Sequence, residues 1–188
     1  MKNAIKPNIF LFLIAIIALI NLSCNQSSTK PTNNWKSEFD QKLPLLGHRN
    51  WVLVVDKAYP LQSAQGMTVI STGEQLPIVL QEVLGSISNS THVKPIVFND
   101  LEFNYITEDL SPGVSDLKKS ILASLKGYEV QTILHNDVFA KLDSASKLFS
   151  VVVLKTESTI PYSSVFIQLD CAYWDSNREL KLRQKMCE

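Results

Sequence analysis

The chain has 188 residues, and its 18 Lys and Arg balance 18 Asp and Glu, so the formal net charge is zero. A neutral chain lacks the basic excess on which nucleic-acid binding rests. Hydrophobic residues at 45%, charged residues at 19%, and only six Gly and eight Pro exclude a disordered, collagen-like or coiled-coil chain and leave one globular domain with a sizeable core.

The first residues stand apart from that core. Lys2 and Lys6 precede an unbroken apolar run, Ile9 to Ile20, which is short of the roughly 20 residues that span a bilayer and has the length of a signal-peptide core. The segment closes on Asn21-Leu22-Ser23-Cys24. It resembles the bacterial lipoprotein box, in which a small residue precedes a Cys that is lipidated and begins the mature chain. Asn21 departs from the Leu usual three positions before that Cys, and an ordinary secretory signal or an uncleaved anchor is the other reading. The expectation is a signal peptide over 1–23, lipidation at Cys24, and a location in the bacterial cell envelope. Residues 24–34 carry no large apolar side chain and form a polar tether; from Asn25 on it reaches about 33 Å when extended. The folded domain is expected over 35–188.

Trp35, Phe39 and Leu43 fall four apart, which predicts a short helix over 35–42 after an Asn34 cap. Val52 to Val55 is a β-branched apolar run, the pattern of a strand buried on both faces. Met67 to Ile70 predicts a second strand and Leu76 to Gly85 a helix stopped by its glycine. A third strand is expected over 94–98. Leu117, Ile121, Leu122 and Leu125 predict a striped helix from Ser115, closed by Gly127. Glu129 to Leu134 then reads as a strand, Asp137 to Ser144 as a short helix, and Phe149 to Leu154 and Val165 to Leu169 as two closing strands. Helices interleaved with strands argue for an α/β domain. No helix separates the last two strands, so the sheet is expected to be mixed.

A glycine-rich phosphate loop, a Gly-x-Ser-x-Gly elbow and a His-Glu-x-x-His motif are all missing. His48, His92 and His135 are too widely spaced for a metal site, so neither metal nor cofactor is expected. Cys171 and Cys187 lack a Cys-x-x-Cys spacing, which ranks thiol-redox chemistry last. They read first as a buried small hydrophobe and a free thiol at a frayed end, with a disulfide as the alternative.

The richest local feature is Leu46-Gly47-His48-Arg49-Asn50-Trp51-Val52-Leu53-Val54-Val55-Asp56-Lys57-Ala58-Tyr59-Pro60. A Gly-His pair precedes a buried strand and an Asp follows it. From spacing alone the two read first as a turn residue and a cap. The run, however, resembles the start of the D-ribose pyranase and L-fucose mutarotase family (RbsD/FucU). The resemblance extends from about Leu43 to Tyr173. Gln75 to Leu84 is similar to the helix after the family's second strand, and His135-Asn136-Asp137-Val138-Phe139 to its short helix. Phe149 to Glu157 followed by Pro161-Tyr162-Ser163-Ser164-Val165-Phe166-Ile167 resembles its closing strand, turn and Tyr-x-Asn strand.

That resemblance implies a three-layer α/β/α domain and a sugar isomerase. It implies His48 as the catalytic acid/base and Asp56, His135, Tyr162 and Ser164 as substrate-binding residues. Ser164 stands where the family usually has Asn, Lys57 replaces a small residue, and the usual Gly is absent at Thr156-Glu157. Interconverting forms of a reducing sugar requires opening a cyclic hemiacetal, with one group taking the anomeric hydroxyl proton and another protonating the ring oxygen. The resemblance implies a free monosaccharide as partner and a ring-shaped homo-oligomer with the sugar site at subunit junctions; the lipoprotein box adds the membrane as a second partner. The alternative is a carbohydrate-binding or scaffold lipoprotein that kept the fold and lost turnover.

Overall fold

The computed structural model describes residues 34–187. The expected signal peptide, lipidated Cys24 and nearly all of the tether therefore lie outside the described residues.

Asn34 caps helix α1 (Trp35–Lys42), its side-chain oxygen accepting the Ser37 N–H at 3.4 Å. Trp35, Phe39 and Leu43 are all buried, as their spacing predicts. There follow β1 (Trp51–Val55), β2 (Met67–Ser71), α2 (Leu76–Ser88), β3 (Val93–Asp100), α3 (Val114–Ser124), β4 (Val130–Ile133), α4 (His135–Ala145), β5 (Val151–Lys155), β6 (Val165–Cys171) and α5 (Ser176–Lys185). Short 3₁₀ turns occupy Leu43–Leu45 and Leu101–Tyr105.

The strands form one sheet in the order β2-β5-β1-β6-β3-β4. β1 runs parallel to β5, β5 to β2, and β3 to β4, while β6 is antiparallel to both β1 and β3. Five strands thus point one way and β6 alone is reversed between them. The mixed α/β sheet expected from the missing helix between the last strands is what the chain forms.

Central strands are buried on both faces, and alternation across the pleat divides their side chains between two cores. Val52 and Val54 join Val152, Leu154 and Ile167 beneath α1, α2 and α3. Trp51, Leu53 and Val55 join Val151, Val153 and Phe166 beneath α4, where Val138 and Leu142 are fully buried. Helices cover both faces, giving three layers.

Several boundaries differ from expectation. α2 continues past Gly85 to Ser88 because Ile87, 1% exposed, extends its buried stripe. In α3 the stripe is Val114, Leu117 and Ile121, continued by Leu125, whereas Leu122 is 70% exposed. One residue beyond Ile121 turns about 100° away from the core on a helix of 3.6 residues per turn. β3 runs two residues past Phe98, to Asp100. α5 is absent from the sequence reading, and none of its residues is buried. Among the described residues no helix is long and apolar enough to cross a membrane.

Candidate active site

The parallel strands bring their carboxyl ends to one edge of the sheet, the edge at which α/β folds build sites. Asp56 follows β1 and Asp100 ends β3. His135 opens α4 directly after β4, and the segment 156–164 enters reversed β6 from the same edge. A cleft of about 500 Å³ lies there, walled by Asp56, Lys57, Tyr59, His135, Phe139 and Tyr162 among others.

Asp56 is held on both oxygens. Its Oδ1 accepts the Ala58 N–H at 2.8 Å, and its Oδ2 accepts the Ser164 hydroxyl at 3.3 Å. Ser164 is 2% exposed and stands behind Asp56, outside the cleft wall. The expectation that Ser164 touches substrate gives way to this arrangement: a side chain shorter than the usual Asn reaches only as far as the carboxylate.

His135 is the first residue of α4, and its backbone N–H donates to both oxygens of Glu102, at 3.2 and 3.0 Å. A carboxylate at a helix N-terminus satisfies an otherwise unpaired N–H and complements the helix dipole. The ring is set between Phe139, with centroids 4.7 Å apart, and Tyr162, met edge-on at 5.1 Å. Its Nδ1 lies 2.9 Å from Oδ2 of Asp100, whose side chain is fully buried. Nε2 carries no hydrogen bond among the described residues. Burial pushes the Asp100 carboxyl up to about 6 against the downward pull of His135, with Glu102 and Asp56 adding to the rise.

Tyr162 has a left-handed backbone, φ 56°. For a bulky residue this is a costly conformation, and such strain gathers at functional sites. The turn that imposes it is tied down by buried hydroxyls. Thr156 Oγ1 donates to the Val55 carbonyl at 2.7 Å, and Ser163 Oγ to the Ile160 carbonyl at 2.7 Å. These bonds fix the turn. Tyr59 stacks on Phe139 at 5.6 Å, and its buried hydroxyl has no partner among the described residues. Burial, then the charges of Asp143, Asp100 and Asp56, push its phenol far above the usual range, so it remains a donor.

The structure brings Asp56, His135 and Tyr162 into one cleft, with Ser164 behind them. It does not bring His48. That residue precedes β1, and five strand residues, about 17 Å at 3.4 Å each, separate its end of the sheet from Asp56. His48 Nδ1 pairs with Asp170 Oδ1 at 3.0 Å, and its Nε2 accepts from Arg49 at 3.2 Å. Within one chain it cannot act in the cleft. Arg49 has φ 73°, and with Tyr162 it is one of two non-glycine residues of positive φ among the described residues. His135's partners Asp100 and Glu102, and the aromatic walls Tyr59 and Phe139, are absent from the sequence reading. Tyr59 lies inside the run from Leu46 to Pro60, and Asp100 closes a strand that runs two residues past the expected Phe98.

No family model matches the chain, and no curated protein matches it. Solved structures do. RbsD of Bacillus subtilis, complexed with D-ribose, is 19% identical over 71% of this chain and 92% of its own, at a TM-score of 0.48. FucU from Bifidobacterium longum is 15% identical over 71% and 94%, at 0.47. The fucose mutarotase from Streptococcus pneumoniae, in complex with L-fucose, is 15% identical over 76% and 97%, at 0.49. These RbsD and FucU structures are what the chain is similar to. Its site rests on the geometry above.

Proposed function

We propose that the protein opens and recloses the cyclic hemiacetal of a free monosaccharide by proton transfer in this cleft, as a sugar mutarotase or pyranase does. The observation that carries the reading is the convergence of Asp56, His135 and Tyr162. They lie far apart in sequence, come from separate elements, and meet in one cleft. The cleft's size suits a small polar ligand. Asp56 accepts from sugar hydroxyls, and the phenol of Tyr162 donates. The faces of Tyr162 and Phe139 cover the apolar side of a sugar ring. His135 presents Nε2 to the anomeric hydroxyl and takes its proton on opening, returning it on closure.

Protonation of the ring oxygen needs a second group, and His48 of a neighbouring copy supplies it from a protonated Nε2 once Arg49 is displaced from that nitrogen, taking the proton back on closure. His48 stands at the opposite end of the sheet, its side chain 56% exposed. Leu148, 80% exposed, and Trp174, 41% exposed, lie beside it as docking surface. Placing that end of one copy against the cleft of the next repeats a heterologous contact, which closes as a ring. The domain works outside the cytoplasm, held to a membrane through lipid on Cys24 and a polar tether.

A binding-only reading draws on Ser164, which is committed to Asp56 and offers a ligand nothing. Exchange NMR on the full-length protein with a panel of pentoses and hexoses separates the two. Accelerated exchange between ring forms or anomers for at least one sugar supports the isomerase. Line broadening from binding without any acceleration supports the binding module.

A further inference from the structure

We propose that Asp100 is a positioning residue for His135: its buried carboxylate accepts the Nδ1–H and fixes the imidazole as the tautomer whose Nε2 lone pair faces the cleft. The inference rests on the hemiacetal-opening reading and deepens it.

Three observations carry it. First, the 2.9 Å bond from Nδ1 to Oδ2 leaves Nε2 as the ring nitrogen without a partner, on a side chain that lines the cleft. Second, the fold makes no other visible use of Asp100. Its side chain is fully buried, its Oδ1 has no hydrogen-bond partner, and the bond to His135 is its one side-chain hydrogen bond among the described residues. A buried carboxyl kept only for stability would be satisfied on both oxygens, because desolvating it otherwise is costly. Third, His135 is clamped everywhere else: Glu102 holds its backbone N–H, and Phe139 and Tyr162 fix the ring plane. Ring orientation is therefore set by neighbours, and the choice of which nitrogen carries the proton is set by Asp100.

The polar groups around the pair come from every side. Glu102 follows β3, Asp56 follows β1, Tyr59 lies in the next turn, Tyr162 precedes β6, and Lys57 lines the same cleft. Lys57 is drawn away by its ion pair with Glu157. The carboxylates of Glu102 and Asp56 both raise the Asp100 carboxyl, so the surroundings favour the pair sharing a proton over a second bare carboxylate.

The test uses ¹⁵N-histidine-labelled full-length protein, with the His135 signals assigned by their loss in His135→Gln. The expected state at neutral pH is the Nδ1–H tautomer. In Asp100→Asn the carboxamide can donate to Nδ1, so the Nε2–H form gains. Sugar exchange by that variant falls roughly 10²-fold in kcat, with KM within about threefold, because the acid/base is misprotonated while the cleft is intact. A merely structural Asp100 would leave the tautomer unmoved. An Nε2–H tautomer in the unmutated protein overturns the proposal, as does Asp100→Asn with unchanged kcat. If Asp100→Asn does not fold, the tautomer of the unmutated protein decides. A tautomer switch in a protein that accelerates no sugar's exchange upholds the positioning role and rejects the hemiacetal reading.

Discussion

Two histidine–aspartate pairs stand at opposite ends of one sheet, and the same bond serves different ends in each. At the cleft, His135 meets Asp100 at 2.9 Å with the Asp side chain fully buried. At the far end, His48 meets Asp170 at 3.0 Å with that side chain 27% exposed. Lys94 also reaches Asp170, at 3.4 Å. Burial opposes ionisation of Asp170 too, yet the Cys171 N–H, His48 and Lys94 hold its carboxyl below the usual range. Asp100 meets no Lys or Arg among the described residues, and burial holds its carboxyl high. His48 is bound at both ring nitrogens, whereas His135 keeps one for the cleft. Exposure and the second partner Lys94 leave the far-end pair open to solvent and to a neighbouring copy, whereas burial isolates the pair at the cleft.

The comparison breaks most visibly when each imidazole is removed. His135→Ala should lower the rate of sugar exchange by about 10²- to 10⁴-fold, the usual contribution of an acid/base. His48→Ala should act on a similar scale if the far end of a neighbouring copy completes the cleft. Circular dichroism should show both variants folded, since neither ring is in the main cores.

Asp56→Asn is the next effect in size. It should raise KM about tenfold with a smaller change in kcat, because a hydrogen bond to a charged acceptor is lost from ground and transition states alike. Ser164→Ala should move KM in the same direction by less, since it frees Asp56 from its 3.3 Å restraint without removing the carboxylate. Steady-state exchange rates at varied sugar concentration read both.

The third effect is on stability. The Asp100 carboxyl is raised from 3.8 to about 6 in the folded chain. Between those values the folded state binds more proton than the unfolded one. The group's stabilising contribution is therefore complete below about 3.8 and lost as pH rises through about 6. Urea midpoints of the unmutated protein should thus fall relative to Asp100→Asn between about pH 4 and about pH 7.5. A difference that does not vary with pH would contradict the burial-driven shift. Asp170→Asn should be the mildest change, costing under about 1 kcal/mol in urea unfolding, as exposed ion pairs do.

How far the sequence carried each region follows from how local its determinants are. β1 and β5 were legible because a strand buried on both faces is an unbroken apolar run, and Val52–Val55 and Val151–Leu154 are such runs. Asp56, His135 and Tyr162 were legible because each stands in a distinctive short motif. Asp100 was not. It ends β3 opposite Ile133 of β4, and that register alone carries it beside His135, two residues further along the chain. Sheet register is a tertiary fact that one strand's pattern does not encode. The separation of His48 from the cleft of its own chain was hidden for the converse reason: eight positions from Asp56 look close in a motif, yet five of the residues between form an extended strand. Helix α5 escaped because it buries nothing. Its one local sign is Asp175, whose side chain caps the Arg178 N–H at 2.8 Å.

In the proposed assembly the two histidines, held at opposite ends of each chain, meet across a contact between copies. Mixing inactive His48→Ala protein with inactive His135→Ala protein, after dissociation and reassembly, tests it most directly. Each mixed junction can join an intact His48 to an intact His135, so random assembly should restore about a quarter of the unmutated exchange rate per site. A mixture no more active than its two components would contradict the shared site.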